Sequence, residues 1–121
     1  MMYIQFGKKN KRKILFIHGF LGSNKEFLKS FPVNDLKKKY HLIFLNLEIT
    51  EECNKFEDYI NHLGSNLLIS FGEIDLVVGY SMGGRVAVNL KNHYPNIIKK
   101  LILISSALNP PLMKMKRTST L

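Results

Sequence analysis

The sequence predicts an α/β domain built on a mainly parallel sheet. Three observations lead there: four continuous apolar runs of strand length, amphipathic helical patterns between them, and a glycine-framed serine at a strand-to-helix junction. Runs without polar alternation suit strands covered on both faces, as in parallel sheets flanked by helices. Strands that alternate with helices imply crossover connections, which are right-handed. At 121 residues the chain holds one domain at most, with length enough for a single core. Hydrophobic residues make up 45%, too many for a disordered chain.

Taken in order, Tyr3 to Phe6 reads as a short strand, expected to form a hairpin with the next across a lysine-rich turn. Lys13 to His18 (KILFIH) is the first continuous apolar run. Between Asn24 and Lys39 a short helix is expected, broken at Pro32 and resumed near Asp35. Tyr40 to Leu47 (YHLIFLNL) is the second run. Phe56, Tyr59, Ile60, Leu63 and Leu67 then recur at three- and four-residue spacings, which gives a helix with one apolar stripe. Ile74 to Gly79 (IDLVVG) is the third run and Lys100 to Ile104 (KLILI) the fourth. Between them Met82 to Tyr94 predicts a helix with Val86, Leu90 and Tyr94 on one face, stopped by Pro95. About five strands and three main helices result. Residues 1–111 form the domain, and Leu112 to Leu121 (LMKMKRTSTL), without a period, an irregular basic tail.

Composition narrows the function. Cys53 is the only cysteine, so no internal disulfide or cysteine metal cluster can form, and no metal or other cofactor is expected. The net charge is +9. Lys8, Lys9, Lys11, Arg12 and Lys13 form one basic cluster, and Lys37, Lys38 and Lys39 another. Neither is interleaved with aromatics or carried on a recognition helix, so solvated lysines are preferred over a nucleic-acid or membrane surface. No apolar run approaches the length that crosses a bilayer. The charged start followed by Ile14-Leu15-Phe16-Ile17 has the look of a signal peptide, but His18 and Gly19 interrupt the apolar stretch. A cytoplasmic location is expected.

Chemistry is concentrated at Gly79-Tyr80-Ser81-Met82-Gly83, a G-x-S-x-G pattern. Such a serine sits on a sharp strand-to-helix turn that holds its hydroxyl clear of the sheet, ready to act as a nucleophile. Chain passes so close on both sides that Gly79 and Gly83 must lack side chains. A second element, His18-Gly19-Phe20, follows the strand KILFI. There the backbone N–H groups of Phe20 and Met82 are expected to form an oxyanion hole, reinforced by the positive end of the helix that begins at Met82. His18 reads either as a general base or as a support of the turn. The second is preferred, because backbone amides carry this motif's function.

HGFLGS at His18 to Ser23, GYSMGGRVA at Gly79 to Ala87 and YPNIIKKLILISSALNPPL at Tyr94 to Leu112 resemble the N-terminal part of the α/β-hydrolase superfamily. Within it they look most like the menaquinone-pathway synthase that makes succinyl-hydroxycyclohexadiene carboxylate by eliminating pyruvate. That resemblance implies an anionic small-molecule substrate held by Tyr80 and Arg85. Arg85 lies one helical turn after Ser81, and its guanidinium fork suits a carboxylate. It reads equally as a solvated helix arginine, and Tyr80 more readily as a packed aromatic.

The family's triad runs Ser, then Asp or Glu, then His. After Ser81 this sequence contains no acid, and its one later histidine, His93, lies about 18 Å along the helix at the α-helical rise. The expectation is therefore a truncated serine enzyme, whose intact relative is that synthase (a lyase) or a small esterase-like hydrolase. Its sheet ends near residues 100–104 with an open apolar edge. Two alternatives stand beside it: half of a split enzyme completed by a second chain, and a non-catalytic module that binds a small anion.

Overall fold

A computed structural model describes residues 2–18, 28–29, 31–46 and 55–104. Five strands, β1 (Met2–Phe6), β2 (Lys13–Ile17), β3 (His41–Asn46), β4 (Ile74–Tyr80) and β5 (Ile98–Ile104), form one sheet in the order β1-β3-β2-β4-β5. β2, β3, β4 and β5 run parallel, and β1 pairs antiparallel with β3. Helices α1 (Val33–Leu36), α2 (Phe56–Phe71) and α3 (Met82–His93) connect them. The basic tail at 112–121, Cys53 and the stretch before Leu28 lie outside the described residues.

The expected hairpin of β1 with β2 does not form; β3 lies between them. The turn explains the difference. Gly7 adopts φ 66°, the Asn10 N–H bonds the Gly7 carbonyl at 3.0 Å, and Asn10 Nδ2 donates to the carbonyls of Lys37 and Tyr40 at 2.8 and 3.2 Å. The turn is thus tied to the residues that lead into β3, which draws that strand into the gap.

Side chains of the central strands alternate between two cores, the pleat sending neighbours to opposite faces. Leu15, Ile17, Ile43, Leu45 and Val77 pack with Ile60, Leu63 and Leu67 of α2 and Val86, Ala87 and Leu90 of α3. On the other face Ile14, Phe16, Leu42, Phe44 and Val78 pack with Leu28, Phe31, Val33 and Leu36. Phe16 and Phe44, register partners on β2 and β3, stack at 4.5 Å between ring centroids. Both faces of the central strands are therefore apolar, as their uninterrupted runs require. Where α2 meets α3 the Tyr94 ring lies against Gly64, and its hydroxyl donates to the Asn61 carbonyl at 3.1 Å.

β5 departs from the expectation of two covered faces. Among the described residues it pairs only with β4, and Ile102 is 46% exposed. Among the described residues it is an edge strand, as the sequence led to expect. It also starts at Ile98, because the Ile74 N–H bonds the Ile97 carbonyl at 2.7 Å and extends the ladder backwards.

Buried His41 opens β3, its Nε2 2.8 Å from Oε1 of Gln5. Burial first, then the charges of Lys13 and Lys8, hold its pKa below the usual 6.5. The unfolded chain therefore takes up this proton before the folded one does. Above pH 6.5 both states are neutral at this site, and stability falls as the pH drops from there toward the depressed value. Urea midpoints measured between pH 7.5 and 5.5 are expected to decline on acidification, and to decline less in His41→Gln.

Candidate active site

Ser81 joins β4 to α3 with φ 55° and ψ −118°, and no other non-glycine residue described has a positive φ. That conformation lies outside the ordinary left-handed region and costs about 1–3 kcal/mol for a residue with a Cβ. Neighbouring bonds hold it in place. The Ser81 N–H donates to the Ile104 carbonyl at 3.1 Å, and the Ser81 carbonyl accepts from the Gly84 N–H at 3.0 Å. Strand pairing below and the first helical turn above thus fix both sides of the serine.

The glycines are explained by close approach. A Cβ on Gly79 would lie 2.6 Å from Gly84 Cα and 2.8 Å from the Gly83 carbonyl oxygen. A Cβ on Gly83 would meet the carbonyl oxygens of Ile17 and His18, the latter at 2.6 Å. The start of α3 therefore rests on the end of β2, and His18, buried there, stands beside the elbow. Gly84 is less constrained: its Cβ would press on a Leu103 methyl at 3.3 Å and touch the Gly79 carbonyl oxygen at an ordinary 3.7 Å.

Met82 is the first residue of α3, so its N–H has no acceptor within the helix and faces the same end as Ser81. Its intended partner Phe20, and Gly19 before it, lie outside the described residues. Arg85 is half-buried one turn further on, its guanidinium carbon 4.6 Å from the centroid of the Phe56 ring. Such a cation–π contact is worth about 0.5–1 kcal/mol and fixes the side chain against the start of α2. The apolar stripe had marked Phe56 only as a core residue; its role as a platform for Arg85 depends on the packing of α2 beside α3. Tyr80 is half-buried against the core that contains Phe16, Phe44 and Val78.

The other histidines are elsewhere. His93 ends α3, exposed, with Nδ1 2.8 Å from the Asn89 carbonyl. His62 is exposed on α2, and His41 begins β3 at the opposite end of the sheet. Among the described residues no group of three or more His, Cys, Asp or Glu could hold a metal ion, and no helix is long and apolar enough to cross a membrane.

No profile of a known protein family matches the chain. Solved structures do match. An α/β hydrolase enzyme from the metagenome of lagoon sediments at Mar Chica, Morocco, superposes with a TM-score of 0.70 at 18% identity, over 98% of this chain and 54% of its own. The chain has the α/β-hydrolase fold. MenH from S. aureus aligns on this fold with a TM-score of 0.69 at 24% identity, over 96% of the chain and 46% of MenH. In sequence, an uncharacterized hydrolase from Bacillus subtilis (strain 168), YugF, is 25% identical over 112 residues. The α/β-hydrolase-fold chain thus spans 40% of that relative's length and about half of the solved structures.

Ser81→Gly tests the strain. Glycine adopts this φ freely, so Ser81→Gly is expected to exceed Ser81→Ala in stability by about 1 kcal/mol, after the greater unfolded-state entropy of glycine is offset. Urea denaturation of the two variants side by side decides it; equal midpoints would mean that the turn is unstrained.

Proposed function

We propose that the chain is the nucleophile-bearing part of a serine enzyme of the α/β-hydrolase fold, with Ser81 as its nucleophile. The observation that carries this reading is the backbone of Ser81, held at φ 55° between a buried strand and a helix N-terminus. A fold has no packing reason to keep a serine there; presentation of the hydroxyl is the function such strain serves. The Met82 N–H supplies one oxyanion donor and the Phe20 N–H the other. In acyl transfer Ser81 Oγ attacks the substrate carbonyl as its proton passes to the histidine, the hole stabilises the resulting oxyanion, and the leaving group departs with that proton. In an elimination the same donors stabilise an enolate.

Arg85 and Tyr80 bind an anionic substrate in this reading, which favours a pyruvate-eliminating synthase like the menaquinone-pathway enzyme over a simple esterase. The acid and the histidine come from outside these 121 residues, on a continuing segment or a second chain docked on the β5 edge. Without a base a serine hydroxyl is a poor nucleophile at neutral pH.

The test joins this chain to the C-terminal part of S. aureus MenH and measures both p-nitrophenyl butyrate hydrolysis and pyruvate release. The folded fusion is expected to turn over in at least one assay, with a loss of at least about 10³-fold in Ser81→Ala. A folded, active fusion indifferent to Ser81→Ala would overturn the assignment.

A second reading, a module that binds a small anion without turnover, draws support from the anchored guanidinium of Arg85. It expects saturable binding of succinate by the chain alone, abolished in Arg85→Ala.

A further inference from the structure

The lysine-rich turn between β1 and β2 does more than join two strands. Lys8, Lys9, Lys11 and Lys13 line one cleft of about 670 Å³, together with His41 from β3 and Ser70 and Phe71 from the end of α2. These are the starts of the parallel strands, whereas Ser81 follows the end of β4; the length of β2 alone separates the two ends by about 13 Å. The cleft is therefore a different place from the candidate active site.

Three observations distinguish it from a set of solvated lysines. First, the turn that carries Lys8, Lys9 and Lys11 is tethered: Asn10 donates to the carbonyls of Lys37 and Tyr40. The backbone that carries these lysines is thus held in place, although their stems stay free to move. Second, among the described residues no carboxylate lines the cleft; the acid beside it, Asp75, accepts the Lys13 N–H at 2.8 Å and is shared with Lys99. Burial first, then the charges of Lys13 and Lys8, lower the pKa of His41 in the wall. Third, the floor is rigid. The Tyr3 and Phe71 rings meet edge to face at 5.0 Å, the Tyr3 hydroxyl bonds Asn66 Oδ1, and Gln5 holds His41.

We propose that this cleft binds a small molecule carrying two or more phosphate groups. Its volume lies within the range of small-molecule sites. Lysine binds phosphate as a point charge, and several lysines around one cleft reward a ligand with several charges. A single carboxylate or a monovalent ion would gain little against screening by salt. The size of the cleft favours a compact ligand over a nucleic-acid duplex.

Isothermal titration of the full chain with inorganic tripolyphosphate tests the proposal. One-to-one saturable binding is expected, weakening as salt rises from 50 to 300 mM. Lys8→Gln/Lys11→Gln, two exposed positions on the tethered turn, is expected to weaken binding about tenfold or more. Lys55→Gln/Lys100→Gln removes the same charge from outside the cleft and is expected to change it less than twofold. Equal losses in both double variants would reduce the effect to general charge attraction and overturn the proposal. So would absence of saturable binding, or its abolition by Arg85→Ala, which would move the site to the elbow. A 20-base-pair duplex that binds more tightly than tripolyphosphate, with the same dependence on Lys8 and Lys11, would overturn it in favour of a nucleic-acid surface.

Discussion

Gly83→Ala is expected to destabilise the fold by about 3 kcal/mol, the upper end of what overpacking usually costs. The added methyl meets backbone on β2, the carbonyl oxygens of Ile17 and His18, and neither can rotate away as a side chain would. Relief requires the start of α3 to lift from the sheet, which would also displace Ser81 and Met82. Gly84→Ala is the control. Its methyl presses closely only on a flexible Leu103 terminus, with Gly79 backbone at ordinary contact distance, and alanine favours the helix, so a change within about 1 kcal/mol is expected. Urea midpoints of the two variants separate close packing at one glycine from a general dislike of alanine in the first turn. If both lose the same stability, the contact between α3 and β2 is not what holds the elbow.

Phe44→Ala is expected to cost about 3–5 kcal/mol, a large fraction of the total for a domain of this size. The ring is fully buried, stacks on Phe16 at 4.5 Å and meets the edge of Phe6 at 5.9 Å. Those contacts join β1, β3 and β2, so the cavity would open beneath half of the sheet. Ile69→Ala, at a position 85% exposed on α2, is expected to shift the urea midpoint by less than about 0.5 kcal/mol. A Phe44 variant as stable as the Ile69 one would show that the layer of aromatic rings contributes nothing specific.

Both positions bear on what the sequence disclosed. The continuous apolar runs and the helical stripes located β2, β3, β4, α2 and α3, because burial on both faces leaves a pattern that needs no knowledge of partners. The elbow was legible for the same reason: glycine, serine and glycine at fixed spacing report a purely local turn. What escaped depends on contacts between distant segments. β1 was assigned to β2 because neighbours in sequence usually pair, whereas the Asn10 tether to Lys37 and Tyr40 cannot be read from composition. Likewise nothing local announces that Arg85 rests on Phe56. The edge position of β5 was legible, since no further strand pattern follows it; what its uninterrupted leucines and isoleucines hid is that one face leaves Ile102 46% exposed.

Asp75 has a consequence for the order in which the sheet assembles. It accepts the Lys13 N–H at 2.8 Å from 62 residues away and binds Lys99 at 3.4 Å from only 24 residues away. Closing the longer loop costs about 0.8 kcal/mol more than closing the shorter one, on chain entropy alone. The unit β4–α3–β5 is therefore the more local part of the sheet, and chain entropy alone favours its closure over that of β2 onto β4. The elbow lies inside that local unit, whereas the carbonyls that press on Gly83 come from the end of β2, a strand far from it in sequence.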